Sequence, residues 1–194
     1  MAAIAAERGW GLLNNVAIAA AVARDEGLAD RILIVDWDVH HGNGTQEIFY
    51  SDPNVYYLSM HQSPHYPGTG AASERGVGQG QGTTRNLPLP PGLHPDAYVE
   101  PLLAAIAEAA KQFRPDLLII SAGFDAAEDD PMGGFTLATE HFSRLTTEAV
   151  RETAATTGGR TVSALEGGYN PPELGRNVVA HLRALASVDS ESET

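Results

Sequence analysis

The chain has 194 residues, 43% of them hydrophobic and 19% charged, and a formal net charge of −13. A chain of this length buries one core, so a single domain is expected. The absence of cysteine excludes disulfides, thiolate metal sites and cysteine nucleophiles, so any metal must be bound by histidine and carboxylates. The acidic charge argues against direct nucleic-acid binding, which requires basic patches.

In chain order, helical and strand patterns alternate. We predict a helix at 14–25, a strand at 31–39, a short helix at 45–50, a strand at 55–61, a Gly-, Pro- and Ser-rich loop at 62–85, a helix at 95–113, a strand at 116–121, a polar loop at 122–135, a helix at 137–156, a strand at 161–165 and a helix at 172–186. The domain therefore covers 1–186, and the acidic segment 187–194 is predicted to be a disordered tail.

This alternation predicts an α/β fold, with a mostly parallel sheet and helices on both of its faces. Ligands of such folds bind at the carboxyl ends of the strands. Polar motifs follow each predicted strand, at 36–43, 61–70, 123–125 and 166–170. The sequence therefore predicts an enzyme site along this rim.

The N-terminal sequence lacks the features of a secretion signal. It reaches the charged pair Glu7 and Arg8 without a basic region and a long apolar stretch. No apolar run in the sequence approaches the length that spans a membrane. We expect a cytoplasmic protein with no membrane partner, and the sequence leaves its oligomeric state open.

The strongest motif is the end of the strand at 31–39, which carries Asp36, Asp38 and His40. Alternate side chains of a strand point the same way, so these three are expected on one face. Carboxylate and imidazole groups together are typical ligands of a divalent metal, most naturally zinc. The alternative interpretation is a buried, hydrogen-bonded polar cluster that stabilises the loop without a metal.

Asp125 is the candidate for a third ligand, because it follows the buried strand at 116–121. Two carboxylates and one imidazole hold zinc with one position left for water, as catalytic sites do. Water activated in this way attacks carbonyl groups near neutral pH. The alternative is that Asp125 is an ordinary turn or helix-cap residue.

Tyr169 is the candidate for a catalytic phenol. It follows Gly167 and Gly168, which permit a tight turn and a close approach of the backbone. A phenol opposite a metal donates a hydrogen bond to a carbonyl oxygen as negative charge develops there. The alternative is a half-buried tyrosine at the edge of a loop.

Taken together, these motifs resemble the histone deacetylase family, in particular its class II-like and bacterial amidohydrolase members. The resemblance runs from Gly9 to Ala186. Four segments carry the most specific matches: Gly-Trp-Gly-Leu-Leu-Asn-Asn within 9–20, Asp-Trp-Asp-Val-His-His-Gly-Asn-Gly within 35–46, Ser-Ala-Gly-Phe-Asp-Ala at 121–126 and Leu-Glu-Gly-Gly-Tyr-Asn at 165–170. The other matching segments are 59–61, 66–70, 113–116 and 130–133.

The resemblance implies an arginase/deacetylase-like fold and a zinc-dependent amide hydrolase. Its substrate would be acetyl-lysine, an acetylated polyamine or a related small amine. Asp38, His40 and Asp125 match the zinc ligands of the family, and Tyr169 matches the tyrosine that polarises the scissile carbonyl.

The resemblance also implies a narrow acyl tunnel and a second cation site. Trp10 and Tyr66 match the aromatic tunnel walls, with Gly168 beside them, although ordinary core packing is the alternative for both aromatic rings. A monovalent cation, usually potassium, is implied at the side-chain oxygens and carbonyls of three residues. These residues are Asp36, Ser59 and Met60.

One departure from the family pattern matters for activity. The family carries two consecutive histidines before the segment that matches 9–15, whereas this chain has no histidine before His40. Asp36 and Asn43, which orient that pair in the family, would lack their partners. In family terms the chain is expected to be the C-terminal part of a catalytic domain, without its N-terminal strands. It is either an enzyme with reduced or absent activity, or a zinc-binding remnant.

The histidines that the chain does contain are predicted to have other places. His61 and His65 are expected on the rim of the site, as candidates for a replacement base, and His41 is expected to be structural. The remaining three, His94, His141 and His181, are expected to be surface or helix residues.

Overall fold

The structure is a computed structural model that describes residues 13–191, with side chains up to residue 187. Its helices are α1 (Asn15–Asp25), α2 (Asn43–Phe49), α3 (Pro95–Phe113), α4 (Thr139–Thr157) and α5 (Pro171–Glu191). Its strands are β1 (Ile32–Asp36), β2 (Val55–Gln62), β3 (Thr84–Leu89), β4 (Leu117–Ala122) and β5 (Thr161–Leu165). All strand pairs are parallel, in the order β3-β2-β1-β4-β5, which confirms the predicted α/β class.

Two apolar cores cover the two faces of the sheet. Every residue of β1 is buried, and its side chains divide between the cores by alternation. Leu33 and Val35 join the larger core with residues of α3 and α4, whereas Ile32 and Ile34 join the smaller core with residues of α1. Helices therefore flank both faces, and the carboxyl ends of β1, β2 and β4 meet at one edge of the sheet.

Strand β3 was not predicted from the sequence. It contains Pro88 and follows a glycine-rich loop, and both features argue against a strand. Among the described residues, β3 lies at the edge of the sheet and pairs with β2 alone. A proline is tolerated there because one side of an edge strand needs no backbone partner.

Two further boundaries differ from the prediction by three residues or more. Strand β1 ends at Asp36, because the carboxylates of Asp36 and Asp38 accept hydrogen bonds from the backbone N–H groups of Asp38 (3.1 Å) and His40 (2.8 Å). Helix α5 continues to Glu191, past the predicted end at 186, so the predicted disordered tail begins inside the helix. Extending an existing helix is far easier than starting one.

Within residues 13–191, no helix is both long enough and apolar enough to cross a membrane.

Candidate metal site

Three predicted ligands converge at the carboxyl edge of the sheet. Asp38 and His40 lie in the turn after β1, and Asp125 lies in the turn after β4, the strand beside β1. The His40 Nδ1 atom lies 3.0 Å from Asp38 Oδ1 and 3.1 Å from Asp125 Oδ2. Among the residues that the structure describes, this is the one group of three or more His, Asp or Glu residues whose ligand atoms all lie within 4.8 Å of one another.

Backbone hydrogen bonds hold both carboxylates in place. Asp125 Oδ1 accepts a hydrogen bond from the Val39 N–H at 2.8 Å, which leaves Oδ2 facing His40. Asp38 Oδ2 accepts a hydrogen bond from the Gly167 N–H, also at 2.8 Å. Such outer contacts orient metal ligands and tune their strength. The turns after β1, β4 and β5 therefore build one site.

Gly167 is required by the close approach of the backbone to the ligands. A Cβ atom at this position would overlap the carboxylate oxygen of Asp125 and lie 2.5 Å from Asp38 Oδ2. Only glycine lets the N–H of this turn reach Asp38 without displacing a ligand.

The site holds several carboxylates that are largely buried, and their mutual repulsion shifts the pKa values of its groups. Burial alone would lower the pKa of His40, but its hydrogen bonds to Asp125 and Asp38 prevail and raise it to about 10. Burial, together with the charge of Asp38, raises the pKa of Asp125 to about 7. Burial and the same charge raise the pKa of Glu166 to about 7. A bound cation would relieve this repulsion, so the donor set fits a divalent metal such as zinc.

Tyr169 follows β5 and is held by its backbone. Its N–H donates a hydrogen bond to Asp130 Oδ2 at 2.7 Å, and its side chain is 48% exposed. Burial and the charges of Asp38 and Asp125 raise the pKa of the phenol, so it stays protonated at neutral pH. The preceding residue, Gly168, has a φ of 141°, a conformation that favours glycine.

Of the residues predicted to line an acyl tunnel, the structure describes Tyr66 and Gly168. Tyr66 is 52% exposed, and its ring centre lies 6.3 Å from that of His40. Tyr66 is therefore a rim residue rather than a core residue. Gly168 lies beside Leu174, whereas Trp10 falls outside the residues that the structure describes.

The residues predicted for a monovalent cation lie next to the metal ligands. Asp36 and Ser59 are register partners on β1 and β2, and both are buried. The Asp36 carboxylate accepts a hydrogen bond from the Tyr57 hydroxyl at 2.8 Å, and burial raises the pKa of Asp36 well above its usual value. The side chain of Met60 lies in the larger core, so any contribution to a cation comes from its backbone. Asn43 is the first residue of α2, and its orienting role stays a prediction.

Two histidines occupy places that the sequence did not indicate. His61 was expected on the rim, but it is buried, with Ser59 Oγ 2.9 Å from its Nδ1 and the Gly70 carbonyl 3.1 Å from its Nε2. His181 was expected to be a surface or helix residue, and it lies in α5 but is also buried. His41, expected to be structural, is buried and bonds to Thr69. Strand and helix patterns do not show which polar side chains find partners inside a core.

The sequence did not predict the contacts of three residues of the site. Asp130 holds the backbone of Tyr169, Glu166 accepts a 3.3 Å hydrogen bond from the Ser121 hydroxyl, and the ring of His65 stacks on that of His40. Asp130 and Glu166 belong to motifs that carry the resemblance, which was the available signal. The sequence predicts His65 on the rim, and only the tertiary structure shows its contact with His40.

Comparisons with known proteins agree with this geometry. The family description "Histone deacetylase domain" matches residues 2–185. Histone deacetylase 10, chloroplastic, of Oryza sativa subsp. japonica is 45% identical over 91% of this chain and 40% of its own length. A probable deacetylase of Archaeoglobus fulgidus is 42% identical over 84% of this chain and 45% of its own length.

Solved structures show the same fold. The HDA15 HD domain matches with a TM-score of 0.84 and 42% identity, over 91% of this chain and 50% of that chain. Acetylpolyamine aminohydrolase from Burkholderia pseudomallei matches with a TM-score of 0.83 and 36% identity, over 93% of this chain and 51% of that chain. The chain thus spans about half the length of these structures and less than half of the two relatives named above. With a family match over nearly all of its residues and the same fold in solved relatives, the chain belongs to the histone deacetylase family.

Proposed function

We propose that this chain carries the zinc site of an amide hydrolase that removes acetyl groups from acetyl-lysine, acetylated polyamines or related small amines. The observation that carries the proposal is the convergence of Asp38, His40 and Asp125 at one strand edge, beside the half-exposed phenol of Tyr169. Family membership alone does not choose among substrates or establish a metal.

Asp38, His40 through Nδ1, and Asp125 are the residues that would hold zinc. The separations of 3.0 and 3.1 Å between their ligand atoms approach the roughly 3.3 Å expected for ligands sharing one tetrahedral zinc ion. When bound, zinc supplies a Lewis acid that polarises the amide carbonyl and makes a water molecule nucleophilic.

Tyr169 contributes a hydrogen-bond donor for the carbonyl oxygen of the substrate. The raised pKa keeps its phenol protonated, and Asp130 fixes its backbone. A fixed donor stabilises the negative charge that the oxygen gains as the amide is attacked. The role of Tyr169 is therefore electrostatic, and the ligand set does not depend on it.

The proposed substrate enters past the exposed ring of Tyr66, with Gly168 and Trp10 as the other predicted tunnel residues. The net charge of −13 suits a substrate with a cationic amine. The relative from Burkholderia pseudomallei is named an acetylpolyamine aminohydrolase, which favours including small amines. A potassium ion at Asp36, Ser59 and Met60 is part of this proposal, as is the orienting role of Asn43.

The proposal includes a cytoplasmic location and no direct contact with nucleic acid. The charge argues against direct nucleic-acid binding. The cytoplasm stays the predicted location, although the rice relative is named as chloroplastic.

The alternative proposal is a chain that binds zinc and hydrolyses nothing. It is favoured by the absence of any histidine before His40, where the family carries its histidine pair. Loss of a general acid–base group costs about 10²- to 10⁴-fold in rate.

The experiment that separates these proposals measures the metal content of the purified chain and its hydrolysis of an acetyl-lysine reporter, with and without added zinc. Stoichiometric zinc with zinc-dependent turnover supports the hydrolase. Zinc without turnover supports the alternative. A chain that takes up no zinc contradicts both.

A further inference from the structure

We infer that His65 is a positioning residue, which holds the imidazole of His40 and joins the loop that carries Tyr66 to the loop after β4. The consequence for a bound metal rests on the proposed function, but the contacts themselves do not. The sequence predicts a place on the rim for His65 but not its contact with His40.

The first contact is with the ring of His40. The two imidazoles are stacked, with centres 4.9 Å apart and planes inclined by 22°. His40 must keep Nδ1 directed at Asp38 and Asp125, and a rotation of its ring would carry that atom away. A flat ring lying against it restricts this rotation.

The second contact anchors His65 itself. Its Nε2 atom lies 2.9 Å from the carbonyl oxygen of Met132. A carbonyl only accepts hydrogen bonds, so Nε2 carries the proton and the ring is fixed by a donor as well as by stacking. His65 is therefore held between a metal ligand and the loop after β4.

From Met132 the contacts continue to Tyr169. The Met132 N–H donates a hydrogen bond to Asp130 Oδ1 at 2.9 Å, and Asp130 Oδ2 accepts the Tyr169 N–H at 2.7 Å. A parallel link joins the same loops, because Gln62 Oε1 accepts the Gly134 N–H at 2.8 Å. Within this series of contacts, His65 is the residue that touches the ring of His40.

Two variants separate the two contacts. His65→Phe keeps a flat ring for stacking and loses the hydrogen bond, whereas His65→Ala loses both. His94→Ala is the matched control, because His94 is an exposed histidine at the start of α3. Near-ultraviolet circular dichroism and thermal unfolding check that each variant folds.

The first test needs no metal and uses the NMR signals of the His40 ring protons. A stacked aromatic ring displaces these signals, so His65→Ala should shift them and His65→Phe should keep the displacement. His94→Ala should leave them unchanged. Folded His65→Ala with wild-type His40 signals would overturn the inference.

The second test is titration of the metal-free chain with Co²⁺, followed by its visible absorption. Loss of a group that orients a ligand typically weakens metal binding about 10- to 100-fold, so we expect this loss in His65→Ala and recovery in His65→Phe. Equal Co²⁺ affinity and an equal spectrum in wild type and His65→Ala would contradict the positioning role while leaving the metal site in place. Failure of the wild type itself to bind Co²⁺ would overturn the proposed function, and the NMR result alone would then decide the role of His65.

Discussion

His40 and His181 show how neighbours decide the chemistry of two histidines in one protein. His40 lies between the carboxylates of Asp38 and Asp125, whose hydrogen bonds raise its pKa to about 10. His181 lies between two hydroxyl groups, 2.7 Å from Thr146 Oγ1 and 2.8 Å from Ser163 Oγ, and burial lowers its pKa to about 4. The surroundings of His40 favour the charged imidazole, and those of His181 favour the neutral one.

The hydrogen-bond pattern explains the difference. The Thr146 hydroxyl donates to the Phe142 carbonyl at 2.7 Å, so it accepts from His181 Nδ1, and the Ser163 hydroxyl can donate to His181 Nε2. The neutral imidazole of His181 is thereby satisfied. Around His40, acceptors outnumber donors, and a cation is what would complete the group. In this chain the histidine at the candidate metal site has anionic partners, whereas the histidine between two hydroxyl groups is satisfied without a cation.

Removal of the Asp125 carboxylate should have the largest effect on zinc binding. We expect Asp125→Ala to abolish tight zinc binding, because it removes a buried ligand that the Val39 N–H holds in place. Metal content after dialysis measures this, with Asp25→Ala, an exposed carboxylate, as the control. Unchanged zinc content in Asp125→Ala would refute the ligand set.

A steric change should disturb the same site without removing a ligand. We expect Gly167→Ala to weaken zinc binding at least tenfold, because its Cβ atom would overlap the carboxylates of Asp125 and Asp38. Gly175→Ala is the matched control, since it lies in α5 with no atom within 4 Å of its added carbon. Competition with a zinc-binding dye measures both affinities, and equal values in the two variants would contradict the assigned role of Gly167.

Removal of the phenol should affect turnover and leave the metal in place. If the chain hydrolyses an acetyl-lysine reporter, we expect Tyr169→Phe to lower kcat about 10²- to 10³-fold. Zinc content should equal that of the wild type, because Tyr169 lies outside the ligand set. Tyr50→Phe, in the turn that ends α2, controls for loss of a hydroxyl. Full activity in Tyr169→Phe would exclude the proposed role.

The smallest expected effect is the contribution of His181 to the pH dependence of stability. Because the pKa of His181 falls from 6.5 to about 4, the unfolded chain binds more protons at this residue, and stability decreases as the pH falls from 6.5 towards 4. We expect His181 to account for a loss of about 2 kcal/mol in the free energy of unfolding between pH 7 and pH 5. Urea unfolding of wild type and His181→Gln at both pH values measures it.

The quantity to compare is the change in the free energy of unfolding between pH 7 and pH 5, in wild type and in His181→Gln. The raised pKa values of Asp125 and Glu166 stabilise the metal-free fold as the pH falls, which is the opposite direction. Subtracting the two pH dependences removes these shared contributions. An identical change in wild type and His181→Gln would contradict the neutral state assigned to His181.

Much of the fold was predictable because it follows from local patterns. Continuous apolar runs marked β1 and β4 as buried strands, and the alternation with helices fixed a parallel sheet. Strand β3 was not predictable, since its pairing with β2 outweighs an unfavourable Pro88. Local preference is weak for strands, because their stability comes from neighbours distant in sequence.

The same division holds for the candidate site. The sequence by itself determined the donor types, Asp38, His40, Asp125 and Tyr169, and their places after strands, because residue chemistry and strand ends are local properties. The tertiary structure alone decided that Gly167 donates to Asp38, that Asp130 holds Tyr169, and that His65 rather than His61 lies against His40. These contacts join loops that follow different strands, and only the packing of the sheet brings such loops within hydrogen-bonding distance.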